Sequence, residues 1–154
     1  MAIGDWQQDR QLIESEAAQV ALLLNTRNQL TRAYDVKRVL EEWAQYRIIR
    51  EGGRLVACVQ LRPVQWYQWE VLHLSVHEDC VGRGLGGQLL QIAKADATRV
   101  DIKLLQCTIR AGNVGSERLF SRAGFSRVSA FHNPRSGNNV AVWQHVLVPQ
   151  RSEN

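Results

Sequence analysis

Residues 71–90 read Val-Leu-His-Leu-Ser-Val-His-Glu-Asp-Cys-Val-Gly-Arg-Gly-Leu-Gly-Gly-Gln-Leu-Leu, and the fold turns on this stretch. Val71 to Val76 is an apolar, strand-like run. His77 to Cys80 are polar or small. Gly82, Gly84, Gly86 and Gly87 follow, with Arg83 and Leu85 between them, and a helix opens towards Leu89 and Leu90. A strand, a glycine loop and a helix start together suit a phosphate group. Glycine reaches positive φ and lets the backbone approach a ligand closely. The first turn of a helix presents N–H groups with no partner inside the helix, at the positive end of its dipole. Arg83 adds a forked cation suited to phosphate oxygens. The bland alternative is a tight turn whose glycines serve only the chain reversal.

A P-loop is excluded, because no Lys-Ser or Lys-Thr follows these glycines. A dinucleotide fingerprint, Gly-x-Gly-x-x-Gly, is present at Gly82, Gly84 and Gly87. It lies mid-chain, however, behind strands that read as an antiparallel meander. The run Glu70–Leu90 resembles the acyl-CoA loop of the GNAT family, the GCN5-related N-acetyltransferases. Glu70, Val71, Leu74, Val76, Gly82, Gly84, Leu85, Gly86, Leu89 and Leu90 fall on that pattern. Glu78 replaces the usual proline and Val81 the usual Arg or Gln. A second stretch, residues 113–125, reads Asn-Val-Gly-Ser-Glu-Arg-Leu-Phe-Ser-Arg-Ala-Gly-Phe. It is similar to the second GNAT signature through Asn113, Leu119, Phe120, Gly124 and Phe125, with Ser116 in place of alanine. One helix and one strand separate the two, as in the family.

Length and composition agree with one domain spanning 1–154. A chain of 154 residues buries about two thirds of its unfolded surface. Hydrophobic residues at 45% and charged residues at 22% are ordinary for a globular protein. No apolar run has the roughly 20 residues of a membrane helix, and the first residues lack the parts of a signal peptide, so a cytoplasmic protein is expected. The three cysteines, Cys58, Cys80 and Cys107, have no metal-like spacing, and no metal is expected. A formal net charge of +4 suits an anionic ligand. There is no basic run, zinc pattern or ribonucleoprotein motif to support nucleic-acid binding.

Periodicity predicts a helix over 8–25 and a second one capped by Asp35. Strands are expected at 46–50, 55–61 and 69–76, with a Gly52-Gly53 hairpin turn. Pro63 is expected to end the second strand, with 64–67 as a connecting turn. A helix over 85–99, a strand over 102–110, a short helix over 116–123 and a hairpin of 125–132 with 139–148 complete the order. Ala2-Ile3 is too short for the first strand common in the family. The result is an α+β domain: a mixed, mostly antiparallel sheet of six or seven strands flanked by about four helices.

The resemblance implies a GNAT-like acyl-CoA N-acyltransferase fold, acetyl-CoA as the cofactor and a small-molecule or peptide amine as acceptor. It implies a cleft between two splayed strands, with the pantetheine arm paired to backbone groups of Leu74, Ser75 and Val76. The diphosphate would lie on amides of Val81, Gly82, Arg83, Gly84, Leu85 and Gly86, with Gly87 and Gln88 opening the helix. Asn113, Ser116, Leu119 and Phe120 would line the arm. Attack needs a neutral amine, so a base must take a proton. Glu70 stands where many members carry that carboxylate, and His73 is the alternative. The Val76 N–H would meet the developing oxyanion. Phe120 occupies the place of the family's proton-donating tyrosine and has no proton to give; water, Tyr67 or Tyr34 is left for that role. Trp66, Tyr67 and Trp69, with Tyr34 and Trp43 opposite, are candidates to line the acceptor site. Relatives often form homodimers through the C-terminal hairpin. Two other readings stay open: a catalytically weak acyl-CoA-binding module, suggested by Phe120 and Val81, and a dinucleotide-binding enzyme.

Overall fold

The computed structural model describes residues 3–28 and 33–147; of residues 3–12 only the backbone is described. Helix α1 spans Ile3–Arg27 and α2 spans Val36–Glu41. Strands β1 (Tyr46–Glu51), β2 (Arg54–Gln65) and β3 (Gln68–Val76) follow, then α3 (Leu85–Arg99), β4 (Leu104–Arg110), α4 (Val114–Arg122), β5 (Ser126–His132) and β6 (Asn139–Val146). Short 3₁₀ turns at Trp43–Gln45 and Glu78–Cys80 were not foreseen. Ile3 lies in α1, so no strand begins there, and Ala2 is outside the described residues.

The sheet has six strands in the order β1-β2-β3-β4-β6-β5. Every neighbouring pair is antiparallel except β3 and β4, which are parallel with α3 as their crossover. A core of Val59, Leu61, Val71, Leu89, Leu90, Leu105, Ile109 and Phe120 fills the space between one sheet face and helices α3 and α4. On the other face α1 and α2 bury Val20, Leu24, Val39, Tyr46 and Cys58. Asp35 caps α2 by accepting the Arg38 N–H (2.7 Å), as its residue type indicates. Gly124 takes φ 92° just past α4, and the Phe125 N–H donates to the Phe120 carbonyl (2.9 Å). Among the described residues no helix is long and apolar enough to cross a membrane.

Pro63 does not end β2. The strand runs to Gln65, Pro63 stands opposite Trp69, and the turn is only Trp66-Tyr67. The reason is positional. Pairing with β1 begins at Tyr46↔Gln60, so β2 has lost its outer neighbour by residue 63. A proline without an N–H is tolerated on such a local edge, where the register also shifts.

Candidate functional site

Strands β3 and β4 pair over only three rungs, Gln68↔Leu104, Trp69↔Leu105 and Glu70↔Gln106. Beyond Glu70 they part. A bulge lies at the parting: against β2 the register slips between Cys58↔Ser75 and Gln60↔Leu72, and His73 takes φ 52°. An extra residue bends a strand and raises its local twist, which swings the end of β3 away from β4. The bulge breaks the two-residue alternation of β3, so that Val71 and Leu74, three apart, share a face. Leu74 packs in the α3–α4 core, whereas His73 reaches Tyr34 on the α1–α2 face.

The gap is a cleft of about 520 Å³. Leu72, His73 and Leu74 of β3 form one wall, and Thr108, Ile109 and Arg110 of β4 the other. Asn113, Ser116, Leu119 and Phe120 of α4 close one side, while Arg27 and Asn28 reach it from the end of α1. The Asn113 side chain accepts the Ser116 N–H (3.3 Å), so it caps α4 while lining the cleft.

The end of β3 presents main-chain groups selectively. The His77 N–H donates to the Val56 carbonyl (2.7 Å). Bonded and non-bonded pairs alternate along an antiparallel ladder. Ala57↔Val76 is therefore non-bonded, and the Val76 N–H and C=O point away from β2, to the side β4 has vacated. By the same alternation Ser75 turns its main-chain groups to Cys58, unlike the free groups expected there. Its side chain serves the bulge instead: Ser75 Oγ donates to the His73 carbonyl (2.9 Å) and accepts from Asn28 Nδ2 (2.8 Å).

At the loop, Gly82 and Gly84 have φ 85° and 79°. Among the described residues no acceptor takes the N–H groups of Val81, Gly82, Arg83, Gly84, Leu85, Gly86 or Gly87. The first helical bond of α3 runs from the Gln88 N–H to the Gly84 carbonyl (3.1 Å), so Gln88 has no amide to spare. The free donors sit at the N-terminus of a 15-residue helix, a physical match for an anion. Arg83 is not directed at open space. Its guanidinium grips Glu51 through two contacts of 2.8 and 2.9 Å and lies 3.6 Å from Cys80 Sγ. Val81 is exposed and apolar.

Glu70 occupies the last paired rung, at the point where the strands fork. Burial pushes its carboxyl above the usual carboxylate range, against hydrogen bonds from Gln106 and Gln68 and the Arg62 charge. His73 lines the cleft, with Nε2 2.8 Å from the Tyr34 hydroxyl. Burial, helped by the cations of Arg62 and Arg38, lowers the imidazole to about 4, so it is neutral near pH 7. Tyr34 is pinned by Asn25 through two main-chain bonds of 2.8 Å, and Arg38 stacks 4.0 Å from its ring centre. Phe120 is buried edge-on to Phe125, with no hydroxyl at that wall.

The acceptor-side aromatics are dispersed. Trp66, 80% exposed, stacks edge-on with Tyr67 at the β2–β3 turn, outside the cleft lining. Trp69 packs against the α3-side core, while Trp43 and Tyr34 belong to the α1–α2 core on the opposite face. Tyr34 bonds to the cleft-lining His73. The sequence reading missed Gln106 and Asn28, whose roles exist only once strand register and the end of α1 are known.

A mixed sheet parted between its parallel strands, with a glycine loop opening the helix that connects them, defines the class of the domain as α+β. The family model of the acetyltransferase (GNAT) family matches residues 10–125. The chain belongs to that family. Its fold is shared with solved structures: Ard1 from Thermoplasma volcanium (TM-score 0.77, 16% identity, covering 88% of this chain and 94% of that one); yncA from Salmonella typhimurium with its cofactor acetyl-CoA (0.77, 19%, 92% and 94%); and the ribosomal-protein-S18-alanine N-acetyltransferase from Escherichia coli (0.73, 13%, 91% and 93%). Among curated proteins none matches the chain.

Proposed function

We propose that this protein is an acetyl-CoA-dependent N-acetyltransferase that acetylates a primary amine by direct attack within a ternary complex. The observation that carries the reading is the fork of β3 and β4 together with seven unbonded loop amides, the loop abutting the cleft-lining Leu119 and Leu74 at Gly86. The cleft fits an extended arm, and the amides of Val81 to Gly87 fit a diphosphate. Val76 offers its N–H and C=O to the arm, and Asn113, Ser116, Leu119 and Phe120 supply the facing wall. When bound, acetyl-CoA supplies the activated acetyl group.

Glu70 is the proposed base. A primary amine of pKa about 10 is protonated at neutral pH, and a carboxylate held above its usual range is better matched to accept that proton. The Val76 N–H faces the side where charge develops on the carbonyl oxygen. A thiolate of pKa about 8.5 leaves without strong assistance, which suits a wall made by Phe120. Of the two tyrosines considered as proton donors, Tyr34 reaches the cleft through His73, whereas Tyr67 sits on the outer turn. A second reading, a module that binds acyl-CoA without turnover, is favoured by Phe120 and Val81 alone.

Thiol release from acetyl-CoA across a panel of amines, peptide N-termini, polyamines and aminoglycosides tests the proposal. Turnover on one acceptor is expected, and Glu70→Gln should lower it about 10²-fold or more while CoA affinity stays put. CoA binding with no turnover on any acceptor selects the module, and a fully active Glu70→Gln removes Glu70 as the base.

A further inference from the structure

Three strands place one polar side chain each along a line that ends at Glu70. Glu70 on β3 stands beside Gln106 on β4, and Gln106 beside Gln144 on β6. Their neighbours Leu105, Cys107 and Trp143 face the α3–α4 core, so alternation sets Gln106 and Gln144 on the other sheet face. Gln144 Nε2 donates to Gln106 Oε1 (2.7 Å), and Gln106 Nε2 donates to Glu70 Oε2 (3.3 Å). An amide side chain has one accepting end and one donating end. With its oxygen held by Gln144, Gln106 turns its NH₂ to the carboxylate. The first bond therefore fixes the sense of the second.

We propose that Gln106 and Gln144 are positioning residues that orient the Glu70 carboxylate and hold it in its accepting form at the fork of β3 and β4. The proposal rests on the reading of Glu70 as the base and deepens it. Gln106 engages the carboxylate through Oε2. The other groups facing Glu70 are few. Arg62 stands across on β2, shared with Glu42, and Gln68 lies two residues back on β3. Cys107 follows Gln106 on β4, and its thiol, raised to about 12 by burial, stays neutral across the range that matters. Removing the Gln106 donor therefore leaves Arg62 and Gln68 as the groups that favour ionised Glu70.

The test reads Glu70 directly and needs no acceptor. Protein labelled with ¹³C at glutamate carboxyls is titrated by NMR, with the Glu70 signal assigned by its loss in Glu70→Gln. Gln106→Met keeps the side-chain length without the amide, and melting curves check that it folds. The Glu70 midpoint is expected to rise by roughly half to one pH unit in Gln106→Met, the scale of one ordinary hydrogen bond, as suits a separation of 3.3 Å. Gln144→Met should raise it in the same direction by less, because Gln106 is then free to flip. With a panel amine that turns over, the acid limb of kcat/KM should move up with the midpoint, leaving the alkaline plateau in place. The acceptor's own ionisation is common to all variants. An unchanged midpoint in Gln106→Met overturns the proposal, and a shift there with none in Gln144→Met overturns the three-member relay. A fully active Glu70→Gln is a different failure: it removes the base and leaves the titration result standing.

Discussion

Gly86 links the glycine loop to the cleft wall, and replacing it by alanine separates folding from binding. It lies buried in the first turn of α3. A Cβ there would sit 2.9 and 3.3 Å from the two methyls of Leu119 and 3.5 Å from Leu74 Cδ2. The nearest contact is too close, so something must move. The obstructing atoms are the far ends of a flexible side chain, and Leu119 borders the cleft. Rotating it off its preferred rotamer costs about 0.5–1.5 kcal/mol. Replacing a helical glycine by alanine returns up to about 1 kcal/mol. Stability should therefore change by less than about 1 kcal/mol, while Leu119 is displaced into the wall where the pantetheine arm is proposed to lie. Binding should weaken by about 1–2 kcal/mol, a factor of roughly 5 to 30, the lower range for overpacking. Gly87→Ala is the matched control: its Cβ meets nothing within 4 Å, and the amide is kept. Thermal unfolding gives the first quantity and calorimetric titration with CoA the second. Equal CoA affinity for Gly86→Ala and Gly87→Ala, with both folded, would refute the placement of the arm against Leu119.

Three further outcomes are expected. Gly84→Glu should stay folded, since its Cβ has open space and left-handed φ costs about 1–2 kcal/mol; CoA binding should be lost to the added charge, and retained affinity by calorimetry would take the loop out of the site. Phe120→Tyr restores a proton donor at the cleft wall and should raise kcat with little change in KM for acetyl-CoA; an unchanged kcat in a folded variant would show that departure of the thiolate needs no help from that wall. His73, lowered to about 4 from 6.5, binds its proton more readily in the unfolded chain, so its stabilising contribution is complete above about pH 6.5 and is lost as pH falls towards 4. The loss is at most about 3–4 kcal/mol, from 1.36 kcal/mol per pH unit. His73→Gln should flatten that acid-side slope in urea melts, and an unchanged slope would refute the neutral, buried imidazole.

The element order and the loop were legible because they rest on local chemistry. Glycines at 82 and 84 are needed where φ is positive, Asp35 is a cap by residue type, and Gly124 suits the left-handed stop of a helix. The apolar periods of α1 and α3 mark buried faces in any setting. Pro63 misled for the converse reason: its usual effect on a strand depends on a neighbour, and β1 is absent at that point.

What the sequence determined by itself was thus largely what is set within a few residues: six strands' worth of β runs, the helices, the glycine loop and the two signatures that place the chain in its family. Tertiary structure alone decided which side chains meet. The bulge at His73 breaks the two-residue alternation, so that Val71 and Leu74, three positions apart, pack in the same core. Strand register, set by pairing between residues 36 and 38 positions apart, brings Gln106 and Gln144 to Glu70. Ion-pair choice ties Arg83 to Glu51, 32 residues away. Such contacts carry no local signal, because the groups are indifferent to one another until the sheet closes and removes water from between them.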